Sequence, residues 1–136
     1  MSQQITPETL EAILETLPME VTFIDENDIV KYYSKGQKEV FLRTPKAIGK
    51  NVRNCHPQKS LDKVNEVIAQ LKSGERDVAE FWINLKGHKI YISYFPVKDK
   101  AGKYMGIIEA IQDITEIKKI TGVKRLIQDS WFTRFT

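Results

Sequence analysis

The stretch Tyr104-Met105-Gly106-Ile107-Ile108-Glu109-Ala110-Ile111-Gln112, followed at once by Asp113-Ile114-Thr115-Glu116, changes its period partway along. Residues 104–112 are rich in isoleucine and predict a strand. From Asp113 onward, Ile114, Ile117 and Ile120 recur at three-residue spacing, which predicts a helix. Gly122 breaks or bends that helix, and Val123, Leu126, Ile127 and Trp131 continue its apolar pattern.

Working back from this strand, Asp99-Lys100-Ala101-Gly102 is turn chemistry, and residues 89–97 predict the strand before it. Gly87-His88 marks a tight turn. In residues 77–86, Ala79, Phe81, Ile83 and Leu85 alternate onto one face. Turns this short make the three strands antiparallel neighbours. Further back, Leu61, Val64, Ile68 and Leu71 mark one face of a helix that stops at Ser73-Gly74. Residues 36–41 and 46–52 predict short helical turns interrupted by Thr44-Pro45, and Asn54-Cys55-His56-Pro57 reads as a loop. Residues 20–25 and 29–33 predict a hairpin closed by Asp25-Glu26-Asn27-Asp28. Before it, Thr6 caps a helix with Pro7 at its first position; Leu10, Ile13, Leu14 and Leu17 form one stripe, and Pro18 ends it. The layout is α+β: five antiparallel strands, with helices gathered between the first two and the last three.

Composition narrows the function classes. The chain has 136 residues, which predicts one domain, and its 21 basic against 18 acidic residues leave a charge of only +3. That balance does not point to nucleic acid. Its single cysteine, Cys55, allows no internal disulfide and no paired-cysteine zinc site, so a reducing cytoplasm is expected. No secretion signal is expected at the start, and no run approaches the about eighteen apolar residues of a membrane span.

The order of elements and three motifs resemble the PAS superfamily. The motifs are Asp113-Ile114-Thr115 closing the last strand, the hairpin from Phe23 to Tyr32, and Ile48-Gly49-Lys50-Asn51-Val52 ahead of the longest helix. The resemblance covers residues 8–120. More narrowly, Asn54-Cys55-His56-Pro57 and the run from Ser73 to Trp82 are similar to bacterial and archaeal PAS domains often attached to hemerythrin-like domains. At one place the chain departs from the family: Tyr33-Ser34 stands where Tyr-Asn is common. The resemblance implies a curved five-stranded antiparallel sheet with short helices over one face. It also implies flanking helices at both ends: residues 1–19 as N-terminal helix, 20–113 as core, and 114–136 as signalling helix and tail.

His56 is the first candidate site residue, since a neutral imidazole beside a cavity can ligate haem iron. Haem b is therefore the leading cofactor candidate, with His56 as metal ligand; the alternative is that His56 caps the helix or bonds backbone. In the rhizobial oxygen-sensor type the ligand lies further along the helix, where this chain has Lys63, so that match fails. Cys55 is a second candidate, as ligand or redox thiol, with a buried small hydrophobe as the plainer expectation. The surroundings of Cys55 do not match a flavin photoreceptor. His88 is expected at the surface. Phe81, Ile83, Ile92, Tyr94, Ile108 and Ala110 are read as one face, lining either a pocket or a filled core.

Three functions follow from these readings. The first is a sensor that binds a small ligand or cofactor and signals through its C-terminal helix. The second is a ligand-free module for dimerisation or protein interaction, with a homodimer through Leu10, Ile13, Leu14 and Leu17 and through Ile114, Ile117 and Ile120. The third, an enzyme using His56 or Cys55, lacks paired carboxylates, a phosphate-binding glycine loop and a zinc-protease pattern, so no enzyme is expected.

Overall fold

The computed structural model describes residues 4–34, 40–41 and 45–127. Helix α1 spans Pro7–Thr16; the Thr6 side chain accepts the Thr9 amide at 3.1 Å, and Pro7 opens the first turn. Five strands follow, β1 (Glu20–Asp25), β2 (Val30–Tyr33), β3 (Ala79–Leu85), β4 (His88–Lys98) and β5 (Tyr104–Asp113). They form one antiparallel sheet in the order β2-β1-β5-β4-β3. The last strand thus lies in the middle, between the hairpin that opens the sheet and the meander that closes it.

Between the two halves runs α2, Leu61–Ser73, whose Val67, Ile68 and Leu71 are buried. Gly74 ends it with φ of 85°, a left-handed conformation that glycine reaches without a Cβ clash. These three side chains meet Ile24, Val30, Val52, Ala79 and Ile107 in one core cluster on the roofed face of the sheet. Directly opposed residues in an antiparallel ladder point to the same side. The register therefore sets these rows on the roofed face: Pro96–Ile107–Ile24–Val30, Ala79–Tyr94–Glu109–Thr22–Tyr33, Phe81–Ile92–Ile111–Glu20, and Ile83–Ile90–Asp113.

Asp28, in the β1–β2 turn, ties α2 to the hairpin. Its Oδ2 pairs with Arg53 at 2.9 Å, its Oδ1 lies 3.7 Å from Lys72 Nζ, and its carbonyl accepts the Val52 amide at 2.8 Å. Lys72 also lies over the Tyr104 ring. Burial, and then the negative charge of Asp28, push the Tyr104 hydroxyl up to about 12. At residue 34, where the family commonly has asparagine, Ser34 is buried and accepts the Val21 amide through its hydroxyl at 2.9 Å. It thereby fastens the end of the hairpin to β1.

Two local expectations change, and a third lies mostly outside the described residues. The turn of helix expected over residues 46–52 is split into two 3-10 turns, Pro45–Ala47 and Val52–Cys55, the second capped by Asn51; this second turn takes in part of the expected loop at 54–57. The helix expected over residues 36–41 falls mostly outside the described residues. Most consequentially, the helix expected from Asp113 is a single 3-10 turn, Ile117–Lys119, and residues 120–127 form no helix. Ile120, Val123 and Leu126 are 72%, 73% and 84% exposed, so no apolar face is buried to stabilise a short helix in this region. Gly122, with φ of 69°, takes the chain out of helical conformation.

Candidate functional site

Two adjoining cavities lie between the sheet and its roof. The larger, of about 530 Å³, is walled by β1, β2, β4, β5 and the Val52–Cys55 turn. The smaller, of about 200 Å³, runs under α2 along Val64, Val67 and Ile68. Ile24, Val52, His56 and Tyr94 line both. The larger volume falls within the range of about 300–1,000 Å³ typical of small-molecule sites.

Among the described residues the walls are mostly aliphatic and aromatic, with one acidic exception. Glu109 lines the larger cavity, and its Oε2 accepts the Tyr94 hydroxyl at 2.7 Å. Thr22, opposite Glu109 on β1, and Tyr33, opposite Thr22 on β2, add two hydroxyls along the same row. Among the described residues, the larger cavity has no lysine or arginine on its wall, and Lys63 reaches only the smaller one. A low-dielectric pocket with one carboxylate and several hydroxyls can orient a polar group while apolar walls hold the rest of a molecule.

The expected site residues divide. His56 lines both cavities, Phe81 the smaller, Ile92 and Cys55 the larger, and Tyr94 both. Cys55 is exposed, which corrects the expectation of a buried hydrophobe: it sits at the end of a 3-10 turn at the cavity mouth. Ile83 shares the roofed face through its pairing with Ile90, but near the far end of β3, 40% exposed and away from both cavities. Ile108 and Ala110 point to the opposite face, with Phe95 and Ser93. The reason is plain in the strand itself: Ile107 and Ile108 are equally apolar, and the polar Glu109 faces inward, against simple alternation. Glu109, Thr22 and Tyr33 were not foreseen; a lone carboxylate between Ile108 and Ala110 was the available signal.

A second cluster stands where β5 ends. Asp113 Oδ2 lies 2.7 Å from His88 Nδ1, and Asp113 Oδ1 accepts the Thr115 hydroxyl at 2.6 Å and the Thr115 amide at 3.0 Å. The Thr115 hydroxyl accepts the Lys89 amide at 2.9 Å, while the Ile114 amide donates to the Lys89 carbonyl at 2.8 Å. The Thr115 hydroxyl and amide, and after them His88, hold the Asp113 carboxyl below its ordinary range. His88, expected merely at the surface, is exposed but bonded into this junction. Among the described residues no group of three or more histidine, cysteine, aspartate or glutamate side chains is placed to hold a metal ion.

Sheet order, roof and junction define an α+β module of the PAS type, and comparison with known proteins agrees. A PAS domain family model matches residues 10–115, and the chain belongs to that family. The C-terminal domain of a Streptococcus mutans protein is 36% identical, with TM-score 0.80, over 89% of this chain and 98% of that one. The PAS domain of Bordetella pertussis BvgS is similar in fold, at 20% identity and TM-score 0.61, over 82% of this chain and 88% of that one. So is the PAS domain of a Colwellia psychrerythraea protein, at 14% identity and TM-score 0.59, over 80% of this chain and 97% of that one. None of the curated proteins matches the chain. No helix among the described residues is long and apolar enough to cross a membrane.

Proposed function

We propose that the chain is a cytoplasmic sensory module, not an enzyme, that takes a small organic ligand into the paired cavities and reports occupancy through Asp113-Ile114-Thr115. The observation that carries this reading is the inward-facing Tyr94–Glu109 pair in a cavity of about 530 Å³. Tyr94 and Glu109 stand on β4 and β5, the same two strands whose ends are stapled by Lys89, Asp113 and Thr115. A ligand that prefers one spacing of these strands shifts the junction by the difference in its affinities for the two states. The fold is shared with a Vibrio cholerae sensor histidine kinase at 15% identity, which supports a signalling context. The motif likeness at residues 54–57 and 73–82 supports a place among PAS domains that accompany hemerythrin-like domains.

Haem fits this donor set poorly. His56 would supply an imidazole to the iron, but among the described lining residues two propionates would have only Lys63 as a cationic partner, and Glu109 would stand beside them with like charge. Absorption spectra of protein expressed with added haem, beside native mass spectrometry of the purified chain, test the whole reading. We expect no Soret band and a retained or exchangeable small organic mass. A Soret band lost in His56→Ala would restore the haem reading.

The exposed apolar residues favour a second role beside the first. Leu10 and Ile13 on α1 are 50% and 44% exposed, and Ile117 and Ile120 are 49% and 72% exposed, whereas Leu14, Leu17 and Ile114 are half-covered by their own chain. A homodimer through these two segments would bury them. Sedimentation across a range of concentrations, with Ile13→Glu as control, tests it; a wild-type monomer throughout would remove the dimer.

A further inference from the structure

We infer that the smaller cavity, under α2, takes a small uncharged apolar molecule about the size of a single six-membered ring. This assignment rests on the ligand reading above and narrows it to one cavity and one class of guest.

Size and walls together point to that class. The cavity holds about 200 Å³. Drug-sized sites run from about 300 to 1,000 Å³, whereas an apolar cavity of about 150 Å³ stays dry and takes up benzene or xenon. Here Val64, Val67 and Ile68 of α2 supply one wall, and Ile24, Ile107 and Phe81 of the sheet supply the other. These six side chains offer dispersion contacts and no hydrogen bond. Water therefore gains little beside them, and an apolar guest restores contacts that a void forfeits. Phe81 and Tyr94 meet edge-on, with ring centroids 6.1 Å apart and planes at 72°, and both line the cavity. A flat guest can extend that edge-to-face packing.

The polar groups at the start of α2 do not call for a charged guest. The Ser60 hydroxyl donates to the Pro57 carbonyl at 3.0 Å. Lys63 is exposed, and its ammonium lies 3.6 Å from the Glu66 carboxylate. An exposed lysine lends its methylene stem to a wall while its charge stays in water. A charged guest would give up its hydration for aliphatic side chains, at a cost an uncharged one does not meet. Position supplies the link to output. Val67, Ile68 and Ile107 share one core cluster, and Ile107 stands on β5, the strand that ends at Asp113. A guest seated between α2 and β5 thus bears on the strand that carries the junction.

The test titrates the full isoleucine-methyl-labelled chain by NMR with toluene, benzoate and benzylamine, which share one ring and differ in charge. Ile68 and Ile107 line the smaller cavity, and Ile92 and Ile111 the larger. The expected result is toluene binding at least ten times more tightly than either charged probe, with ring-current shifts at Ile68 and Ile107. Val64→Phe, which places a ring in the space, should weaken toluene at least tenfold. Should that variant not fold, intermolecular NOEs from toluene to the Ile107 methyls and the Phe81 ring in wild type decide the same point. Benzoate or benzylamine binding as tightly as toluene overturns the class. Shifts at Ile92 and Ile111 without Ile68 and Ile107 overturn the location; either result leaves a ligand cavity standing. If no probe moves any of the four methyls, this inference fails, and the ligand reading stands or falls by the retained mass sought above.

Discussion

Glu109 and Tyr94 face each other across the β4–β5 ladder, and the phenol donates to the carboxylate at 2.7 Å on the roofed side of the sheet. A carboxylate in the central strand, on a mostly apolar face, is costly unless something compensates it. Tyr94→Phe removes one such partner while keeping the ring, its edge contact with Phe81 included. We expect a loss of roughly 1–3 kcal/mol, since the acceptor is a carboxylate. Chemical denaturation of wild type and variant checks it; a loss near zero would mean the pair contributes nothing to stability.

Gly106 pairs with Asp25 and Val97 and has φ of 147°. A Cβ built there would meet the Ile24 carbonyl oxygen at 2.1 Å, and a backbone atom inside a sheet does not yield cheaply. Gly106→Ala is expected to cost about 3 kcal/mol or more and to weaken the β1–β5 ladder first. Denaturation gives the magnitude, and amide exchange at Asp25 gives the place. A variant as stable as wild type would contradict the register at this position.

Arg53 belongs to the Val52–Cys55 turn and pairs with Asp28, whose own side chain is largely covered. Arg53→Met leaves that carboxylate with Lys72, at 3.7 Å, as an ion-pair partner. Arg53 is about one-third exposed, so solvent screens part of the interaction, and we expect a loss of roughly 1–2 kcal/mol. Arg53→Lys should recover only part of it, because an ammonium lacks the guanidinium fork that also reaches Asn51 and Asn65. Thermal melts of the two variants decide the order.

At the junction, the sign of the pH effect follows from Asp113. Its carboxyl is held below the ordinary value of 3.8, first by the Thr115 hydroxyl, then by the Thr115 amide, with His88 contributing after them. A depressed folded value means that the stabilisation is present above the unfolded value and fades as pH falls through the folded one. Carboxyl carbon NMR should show Asp113 titrating below 3.8 in wild type and moving upward in Thr115→Val by more than in His88→Ala. Titration at or above the ordinary value in wild type would remove the junction's electrostatic account.

Much of this was legible because the sequence states it locally. Thr6-Pro7 starts a helix, Ser73-Gly74 ends one, and Asp99 closes its turn by accepting the Ala101 and Lys103 amides at 2.9 Å. On β3 and β4, Phe81, Ile92 and Tyr94 alternate cleanly onto one face, but alternation alone does not say which face meets the helices; the packing of α2 decides that. β5 was not legible in the same way. Its neighbouring isoleucines make both faces apolar, and the face is chosen by α2, Leu61–Ser73, which comes much earlier in the chain and packs across the sheet against Ile107. Helix expected after Asp113 failed for a related reason: the stripe Ile114, Ile117 and Ile120 has the right spacing, but spacing stabilises a helix only where a partner surface receives it. Cys55 and His56 were singled out by residue type alone, and only the turn that carries them puts both on the cavity wall.

The hollow beneath the roof is most directly tested by xenon, which enters apolar cavities and reports no chemistry of its own. Isoleucine-methyl spectra recorded under xenon pressure should shift at Ile24, Ile68 and Ile107, which line the cavity under α2, and stay fixed at Ile108 and Ile117. Shifts at Ile108 with none at Ile107, or no shifts at all, would contradict a cavity on this face of the sheet.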